Sequence, residues 1–168
     1  MNSSLFKQFA LAALIAGTIF TASAALKVGD TLPDLTGFKL EGTLPESLKG
    51  KVVILDFWAS WCGPCAESFP VMDELQKKYR EQGLVILAVS VDEKAAKMET
   101  FLKKNPVSFA VVRDGEHKLV ANVTPETMPT SFIIDREGKV RFIHNGFHGS
   151  TTRKQYVEQI ESLLKAKP

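Results

Sequence analysis

The amino-acid sequence predicts an α/β domain in which a mixed central β-sheet is flanked by helices. Continuous apolar runs at residues 52–58 and 84–91 have the length and β-branched content of central strands buried on both faces. Helical patterns follow both runs, and such alternation of strand and helix is typical of parallel strand pairs. Two more strand patterns flank the turn at residues 136–139, where Gly138 can take a positive φ, and they predict an antiparallel hairpin.

The remaining elements follow from apolar spacing and from the turn residues between the periodic segments. Residues 26–51 are rich in turn residues, and short apolar pieces at 38–40 and 43–44 predict an N-terminal hairpin over one edge of the sheet. Gly83 should end the first long helix, and Pro70 should kink it or mark an irregular start. The predicted helices are residues 67–82, 93–104, 116–122 and 152–166, and the predicted strands after residue 91 are 109–112, 131–135 and 140–144.

The first 24 residues have the pattern of an export signal. Lys7 is the only charge among them, residues 9–18 form an apolar core, and Ala22-Ser23-Ala24 is a small-x-small cleavage pattern. The apolar core is shorter than the roughly 20 residues of a membrane span, and an uncleaved N-terminal anchor is the alternative. We expect a signal peptide at residues 1–24 and a single domain over residues 25–168.

The charge balance excludes some classes of partner. The chain has 21 Lys and Arg residues against 19 Asp and Glu residues, for a formal net charge of +2, without a block of like charges. A nearly neutral chain with no basic block offers no electrostatic footprint for nucleic acid or for a membrane surface. We therefore expect no nucleic-acid partner.

Cys62 and Cys65 are the only two cysteines of the chain, and they lie in Trp61-Cys62-Gly63-Pro64-Cys65, where the first buried strand passes into a helix. A disulfide across so short a ring would stabilise the fold by about 2 kcal/mol in the loop-entropy account, against about 3 kcal/mol for a 15-residue loop. At a helix N-terminus, unpaired N–H groups and the helix dipole lower the pKa of a thiol. We expect a redox-active dithiol in which Cys62 is the more exposed sulfur and Cys65 attacks a mixed disulfide held on Cys62. An inert structural disulfide is the alternative.

The residues around the two cysteines fit the same chemistry. Gly63 and Pro64 allow a tight turn with a preset φ at the start of the helix, and Trp61 supplies an apolar wall unless it is part of the core. Asp56 is the one acid in the first buried strand, and burial should raise its pKa. This carboxyl could take and return the proton of Cys65. The alternative is a strand-end acid that pairs with a loop or a Lys.

Metal and haem interpretations of the C-x-x-C spacing lack their other ligands. A structural zinc site needs four ligands, and the three His residues, at positions 117, 144 and 148, do not form a helix face that presents two of them. Haem attachment requires His directly after the second Cys, where this chain has Ala66. The sequence therefore predicts no metal site and no cofactor.

The segment from Asp56 to Cys65 closely resembles the active-site segment of thioredoxins, and Met128-Pro129-Thr130 resembles the cis-proline loop of that fold. The resemblance implies a thioredoxin fold in which Met128, Pro129 and Thr130 bind the substrate chain, and in which the residue before the proline pairs with it through its backbone. A trans Pro129 in a plain turn is the alternative.

The chain is longer than a plain thioredoxin, and its additional segments resemble the exported TlpA/ResA-like branch of the thioredoxin superfamily. They are the N-terminal extension, with Val28-Gly29-Asp30 and Leu48-Lys49-Gly50-Lys51, and a central helix–strand insert over roughly residues 93–122. The resemblance implies a periplasmic or membrane-tethered enzyme that exchanges disulfides with proteins and draws electrons from a membrane thiol–disulfide donor, for example in cytochrome c maturation. We also expect a monomer.

Two positions depart from the pattern of these families. Many members of the branch have Glu three residues after the second Cys, where this chain has Ser68. Thioredoxins place Lys beside the buried acid, where this chain is expected to have Ala88. Without a cationic neighbour, the pKa of Asp56 should rise further. These departures affect pH dependence and reduction potential, and they leave the exchange chemistry unchanged.

The sequence therefore predicts a thiol–disulfide oxidoreductase, and Gly63-Pro64, which resembles the dipeptide of reducing thioredoxins, favours the reducing direction. A thiol peroxidase is one alternative, because peroxiredoxins share the extension and the insert. Residues 58–61, however, do not supply the Thr of the peroxiredoxin P-x-x-x-T-x-x-C pattern. A binding module or chaperone that uses the proline loop and leaves the thiols idle is the other alternative.

Overall fold

The structure is a computed structural model that describes residues 25–166. The predicted signal peptide at residues 1–24 therefore lies outside the described residues. Within residues 25–166, no helix is both long enough and apolar enough to cross a membrane.

Six strands form one sheet, and the prediction of a mixed sheet is confirmed. The order across the sheet is β1-β4-β3-β2-β5-β6, with β2, β3 and β4 parallel and every other neighbouring pair antiparallel. The carboxyl ends of the three parallel strands lie at the same end of the sheet, and the first helix starts there too. The strands are β1 Glu41–Gly42, β2 Val52–Trp58, β3 Leu84–Ser90, β4 Ala110–Arg113, β5 Thr130–Ile134 and β6 Val140–Asn145.

Helices cover both faces of this sheet. On one face, Met72, Phe101 and Ile160 of the first, second and fourth helices share one apolar cluster, while Leu119 of the third helix and Leu35 of the N-terminal segment pack on the other face. Apart from Asp56 in β2 and Ser90 in β3, these two strands are apolar because side chains on both of their faces are buried. The helices are α1 Gly63–Tyr79, α2 Ala95–Lys104, α3 Lys118–Val123 and α4 Ser150–Lys165, with single 3₁₀ turns at Leu35–Phe38 and Arg80–Gln82.

The prediction of an N-terminal hairpin is wrong. Asp34 accepts a hydrogen bond from the Thr36 N–H at 3.0 Å, which caps a 3₁₀ turn at Leu35–Phe38 that ends on the first residue of the expected strand 38–40. The two residues of β1 pair with β4 instead, and the side chain of Glu41 forms an ion pair with Arg113 at 2.5 Å. The segment still covers one edge of the sheet, because the edge of β4 was free to take a partner.

The first helix is longer than predicted at its N-terminus. It begins at Gly63 rather than residue 67, and Pro70 lies inside it while the helix continues to Tyr79. Gly83 follows at φ +104° and ends the helical segment, as predicted. This start places both cysteines at the first turn of α1, as the sequence predicts.

Candidate active site

Cys62 and Cys65 form a disulfide at the junction of β2 and α1, with their Cα atoms 5.3 Å apart. Cys62 is the N-cap of α1, and its Sγ accepts a hydrogen bond from the Cys65 N–H at 3.2 Å. The Cys62 side chain is 6% exposed and Cys65 is fully buried, in the predicted order. After reduction, the same N–H group and the helix dipole would stabilise a thiolate on Cys62.

The two tryptophans of the segment have different environments. Trp61, next to Cys62, is 72% exposed. Trp58 is buried, with its ring centroid 4.6 Å from that of Phe69 and 4.9 Å from that of Phe101. Trp58 therefore belongs to the core, while Trp61 forms an apolar surface beside the reactive sulfur.

Asp56 is fully buried in the centre of β2, between Ala88 of β3 and Ser131 of β5. Because side chains alternate along a strand, Asp56 lies on the same face as Ile54 and Trp58, the face that α1 covers. Burial raises the pKa of Asp56 to about 7, and the hydrogen bond from Ser131 opposes this rise. The predicted rise in pKa and the predicted Ala88 neighbour are both found.

A buried hydrogen-bond chain joins Asp56 to the C-terminal helix. Ser131 Oγ donates to Asp56 Oδ1 at 2.6 Å, and it lies 2.7 Å from the Tyr156 hydroxyl. Since the Ser131 hydrogen is given to Asp56, the Tyr156 hydroxyl donates to Ser131. Burial, and then the charge of Asp56, raise the pKa of Tyr156, so the phenol keeps its proton.

The second carboxylate oxygen of Asp56, Oδ2, is buried and has no hydrogen-bond partner within residues 25–166. An unpartnered buried oxygen is costly as part of an anion and much less costly as a neutral O–H group. The chain through Ser131 therefore fixes Oδ1, and it leaves Oδ2 as the oxygen that can gain or lose a proton.

Asp92 holds the turn before the motif, a role that was not predicted from the sequence. Its carboxylate, 2% exposed, accepts hydrogen bonds from the Ser60 N–H at 3.0 Å, from Ser60 Oγ at 2.7 Å and from Ser90 Oγ at 2.8 Å. Ser60 precedes Trp61 and Cys62, so this contact fixes the backbone that leads into α1. The signal in the sequence was an acid directly after a buried strand, close to Ser90.

The predicted proline loop lies at the end of the sheet where the parallel strands have their carboxyl ends. The Met128–Pro129 peptide bond is cis, as the resemblance to thioredoxins implied. Thr130 pairs with Phe57 in the antiparallel register of β5 and β2, so Pro129 lies beside the end of β2 from which the motif begins. The Pro129 carbonyl is already occupied, since it accepts the Gly146 N–H at 2.8 Å.

Ser68 and two of the three His residues, which the sequence also drew attention to, have hydrogen-bond partners in the structure. Ser68 is buried, and its hydroxyl donates to the Cys65 carbonyl at 2.9 Å. His117 Nε2 lies 3.0 Å from the Val91 carbonyl, and His144 Nε2 lies 2.7 Å from Gln159 Oε1. Across residues 25–166, no group of three His, Cys, Asp or Glu side chains is arranged to hold a metal ion.

Comparisons with known proteins agree with this geometry. A sequence profile of the Redoxin family matches residues 27–160. The chain belongs to the Redoxin family. The Redoxin-family match extends from the N-terminal extension to α4, so it includes the dithiol, the buried acid and the proline loop.

Individual relatives of this Redoxin-family chain are named for disulfide chemistry. The thiol–disulfide oxidoreductase ResA of Geobacillus thermodenitrificans is 36% identical over 154 residues, which cover 90% of this chain and 88% of ResA. A solved structure of a putative thiol:disulfide interchange protein DsbE from Chlorobium tepidum is 40% identical with a TM-score of 0.77, and it covers 83% of this chain and 99% of DsbE. An exposed lipoprotein thioredoxin from Streptococcus pneumoniae is 30% identical with a TM-score of 0.60, over 69% of this chain and 87% of that protein.

The predicted resemblance to the ResA-like branch is thus confirmed, and with it the thioredoxin fold. The protein is a thiol–disulfide oxidoreductase of the Redoxin family, with a redox dithiol at Cys62 and Cys65.

Proposed function

We propose that the protein is exported and reduces disulfide bonds in other exported proteins. The observation that carries the proposal is the difference between the two sulfur positions, because Cys62 is at the helix N-terminus and Cys65 is sealed behind it. The export pattern of residues 1–24 and the kinship with ResA support the location. The same kinship supports cytochrome c maturation as a setting and a membrane thiol–disulfide protein as the electron donor.

In the first step, the Cys62 thiolate of the reduced protein attacks one sulfur of the substrate disulfide. A bond forms between Cys62 Sγ and that sulfur, the substrate S–S bond breaks, and the other substrate sulfur leaves as a thiolate that takes up a proton. In this proposal, the exposed ring of Trp61 and the cis-proline loop at Met128, Pro129 and Thr130 hold the substrate chain beside the attacking Cys62.

In the second step, Cys65 resolves the mixed disulfide. The Cys65 thiol gives its proton to Asp56, and the resulting thiolate attacks Cys62 Sγ. The bond between Cys62 Sγ and the substrate sulfur breaks, and that sulfur leaves as a thiolate that takes up a proton. Asp56 suits this role because it lies on the face of β2 that α1 covers, Oδ2 has no hydrogen-bond partner among the described residues, and its pKa of about 7 is close to neutral pH. Two electrons pass from the dithiol to the substrate, and the enzyme is left with the Cys62–Cys65 disulfide.

The equilibrium reduction potential of the purified protein tests the direction of exchange. Thioredoxin has a potential of about −270 mV, and a similar value here would support a reductant. DsbA has a potential of about −120 mV, and a similar value here would reverse the direction, because such a couple oxidises its partners.

A further inference from the structure

A groove of about 1130 Å³ opens beside Trp61, at the sheet edge where the parallel strands end. One wall is formed by α2 and the loop before it, and the other by α3 and the loop after it. Between these walls the groove has a mainly apolar lining, which includes Val91, Phe101, Val120 and Pro125. Crevices outside the carboxyl ends of strands are the usual binding places of open α/β sheets.

The charged side chains along the groove are mostly cationic. Lys94, Lys97 and Lys104 line the α2 wall, and all three are exposed. Within residues 25–166, none of these ammonium groups has an ion-pair partner, although eleven other ion pairs form. The positive charge on this wall is therefore available to a ligand.

Little negative charge in the groove offsets these lysines. Asp92 and Glu93 are the acids in its lining. The Asp92 carboxylate is buried and engaged by Ser60 and Ser90, so Glu93 is the one exposed carboxylate against three ammonium groups. A peptide would match this lining if its apolar side chains contacted the apolar part of the groove and its carboxylates faced the lysines of the α2 wall.

We propose that the groove binds an extended, acidic segment of the substrate protein, next to the cysteine that Cys62 attacks. The inference rests on the proposed function, and it adds the chemistry of the substrate. Trp61 connects the two places, because it lines the groove and is the direct neighbour of Cys62. A peptide lying against Trp61 would hold its own sulfur near Cys62, and its carboxylates would face Lys94, Lys97 and Lys104. Complementary charge of this kind raises association rates and selects among partners.

Two synthetic peptides test the proposal with the reduced, full-length mature protein. Each carries one cysteine as a mixed disulfide with the neutral thiol mercaptoethanol. One has Glu and Leu beside the cysteine, and the other has Lys in place of every Glu. We expect the acidic peptide to be reduced about tenfold faster in about 0.1 M salt, and the ratio to shrink as salt is added.

Charge-reversed variants locate the effect on the enzyme. Lys97→Glu should lower the acidic-to-basic rate ratio by about threefold, as expected for one exposed charge. Lys103→Glu is the matched control, because Lys103 is exposed on the same helix and does not line the groove. Equal rates for the two peptides, or the same loss in both variants, would overturn the proposal.

A small neutral disulfide, hydroxyethyl disulfide, separates this inference from the proposed function. It carries no segment for the groove, so the wild type and both variants should reduce it at one rate. If the protein reduces this compound but reduces the two peptides at equal rates, the proposal for the groove is overturned and the reducing function stands. No reduction of it by the wild type would overturn the reducing function, and the inference with it.

Discussion

Ser131 Oγ donates a hydrogen bond of 2.6 Å to Asp56 Oδ1, and this contact connects the buried acid of β2 to the Tyr156 hydroxyl on the last helix. The three side chains come from β2, β5 and α4, and all are buried. In this arrangement Asp56 Oδ1 accepts a hydrogen bond, and Oδ2 has no hydrogen-bond partner among the described residues. The contact therefore lowers the pKa of a group whose burial raises it.

Replacing Ser131 should move the pH dependence of the resolving step. Ser131→Ala removes the only hydrogen-bond donor to Asp56 among the described residues, so the pKa of Asp56 should rise further and the step should need a higher pH. We expect the midpoint of the pH profile to move up by about one unit, the size of one hydrogen bond to a charged group. Release of substrate from a preformed mixed disulfide on Cys62 measures this step. Ser131→Thr keeps the hydroxyl and should leave the midpoint in place, and an unmoved midpoint in Ser131→Ala would refute the link.

Asp56→Asn should slow the second step and spare the first. The amide cannot accept the proton of Cys65, and general-base help of this kind contributes about 10²-fold or more. We expect release from the mixed disulfide at pH 7 to slow by about 10²-fold, while attack by Cys62 on a substrate disulfide keeps its rate. Stopped-flow measurement of each step separates the two. An equal slowing of both steps would point to damage of the fold rather than to lost proton transfer.

Asp56 should also make the stability of the oxidised protein depend on pH. Its pKa is about 7 in the native state and near 3.8 when unfolded, so between these values the native state binds a proton that the unfolded state releases. Stability contributed by the protonated group is thus complete below about pH 4, and it is lost as pH rises through about 7. The loss is about 4 kcal/mol at most.

Urea unfolding at several pH values, with wild type and Asp56→Asn side by side, measures this loss. The difference between the two curves isolates Asp56 from the carboxyl groups whose pKa is lowered, such as Asp135, which act in the opposite sense. We expect the stability of Asp56→Asn relative to wild type to increase from pH 4 to pH 7. A constant difference would mean that Asp56 has an ordinary pKa in the native state.

The turn before the motif should depend on Asp92 more than on Ser60. Asp92→Ala leaves the Ser60 N–H and two hydroxyl groups without their acceptor in a mostly buried place, and we expect a loss of about 2–4 kcal/mol in unfolding free energy. Ser60→Ala removes one donor, keeps the backbone contact and should cost about 1 kcal/mol. Chemical denaturation of both variants measures these values. Equal losses would show that the backbone contact contributes little.

Several features could be predicted from the sequence because they depend on local pattern. Strands β2 and β3 are long apolar runs with clear boundaries, and the two cysteines and Asp56 stand out by residue type within one ten-residue segment. The N-terminal hairpin was wrong because the pairing of a two-residue strand depends on which sheet edge is free, and sequence spacing does not show this.

Contacts between distant segments could not be predicted from the sequence. Ser131 lies 75 residues from Asp56 along the chain, and 25 residues from Tyr156. Their meeting requires the register of β5 on β2 and the position of α4, which only the folded chain defines. A small polar residue in a buried strand was the available signal, and it had no assigned partner.

Covalent trapping tests the central claim most directly. The Cys65→Ser protein, reduced and mixed with a disulfide-containing protein substrate, should accumulate a mixed disulfide through Cys62, because the resolving thiol is gone. The Cys62→Ser protein should form no adduct, since its remaining sulfur is fully buried. Non-reducing gel electrophoresis followed by mass spectrometry identifies the joined cysteine. Adducts on Cys62 alone are the predicted result, and equal trapping by both variants, or by neither, would contradict the account.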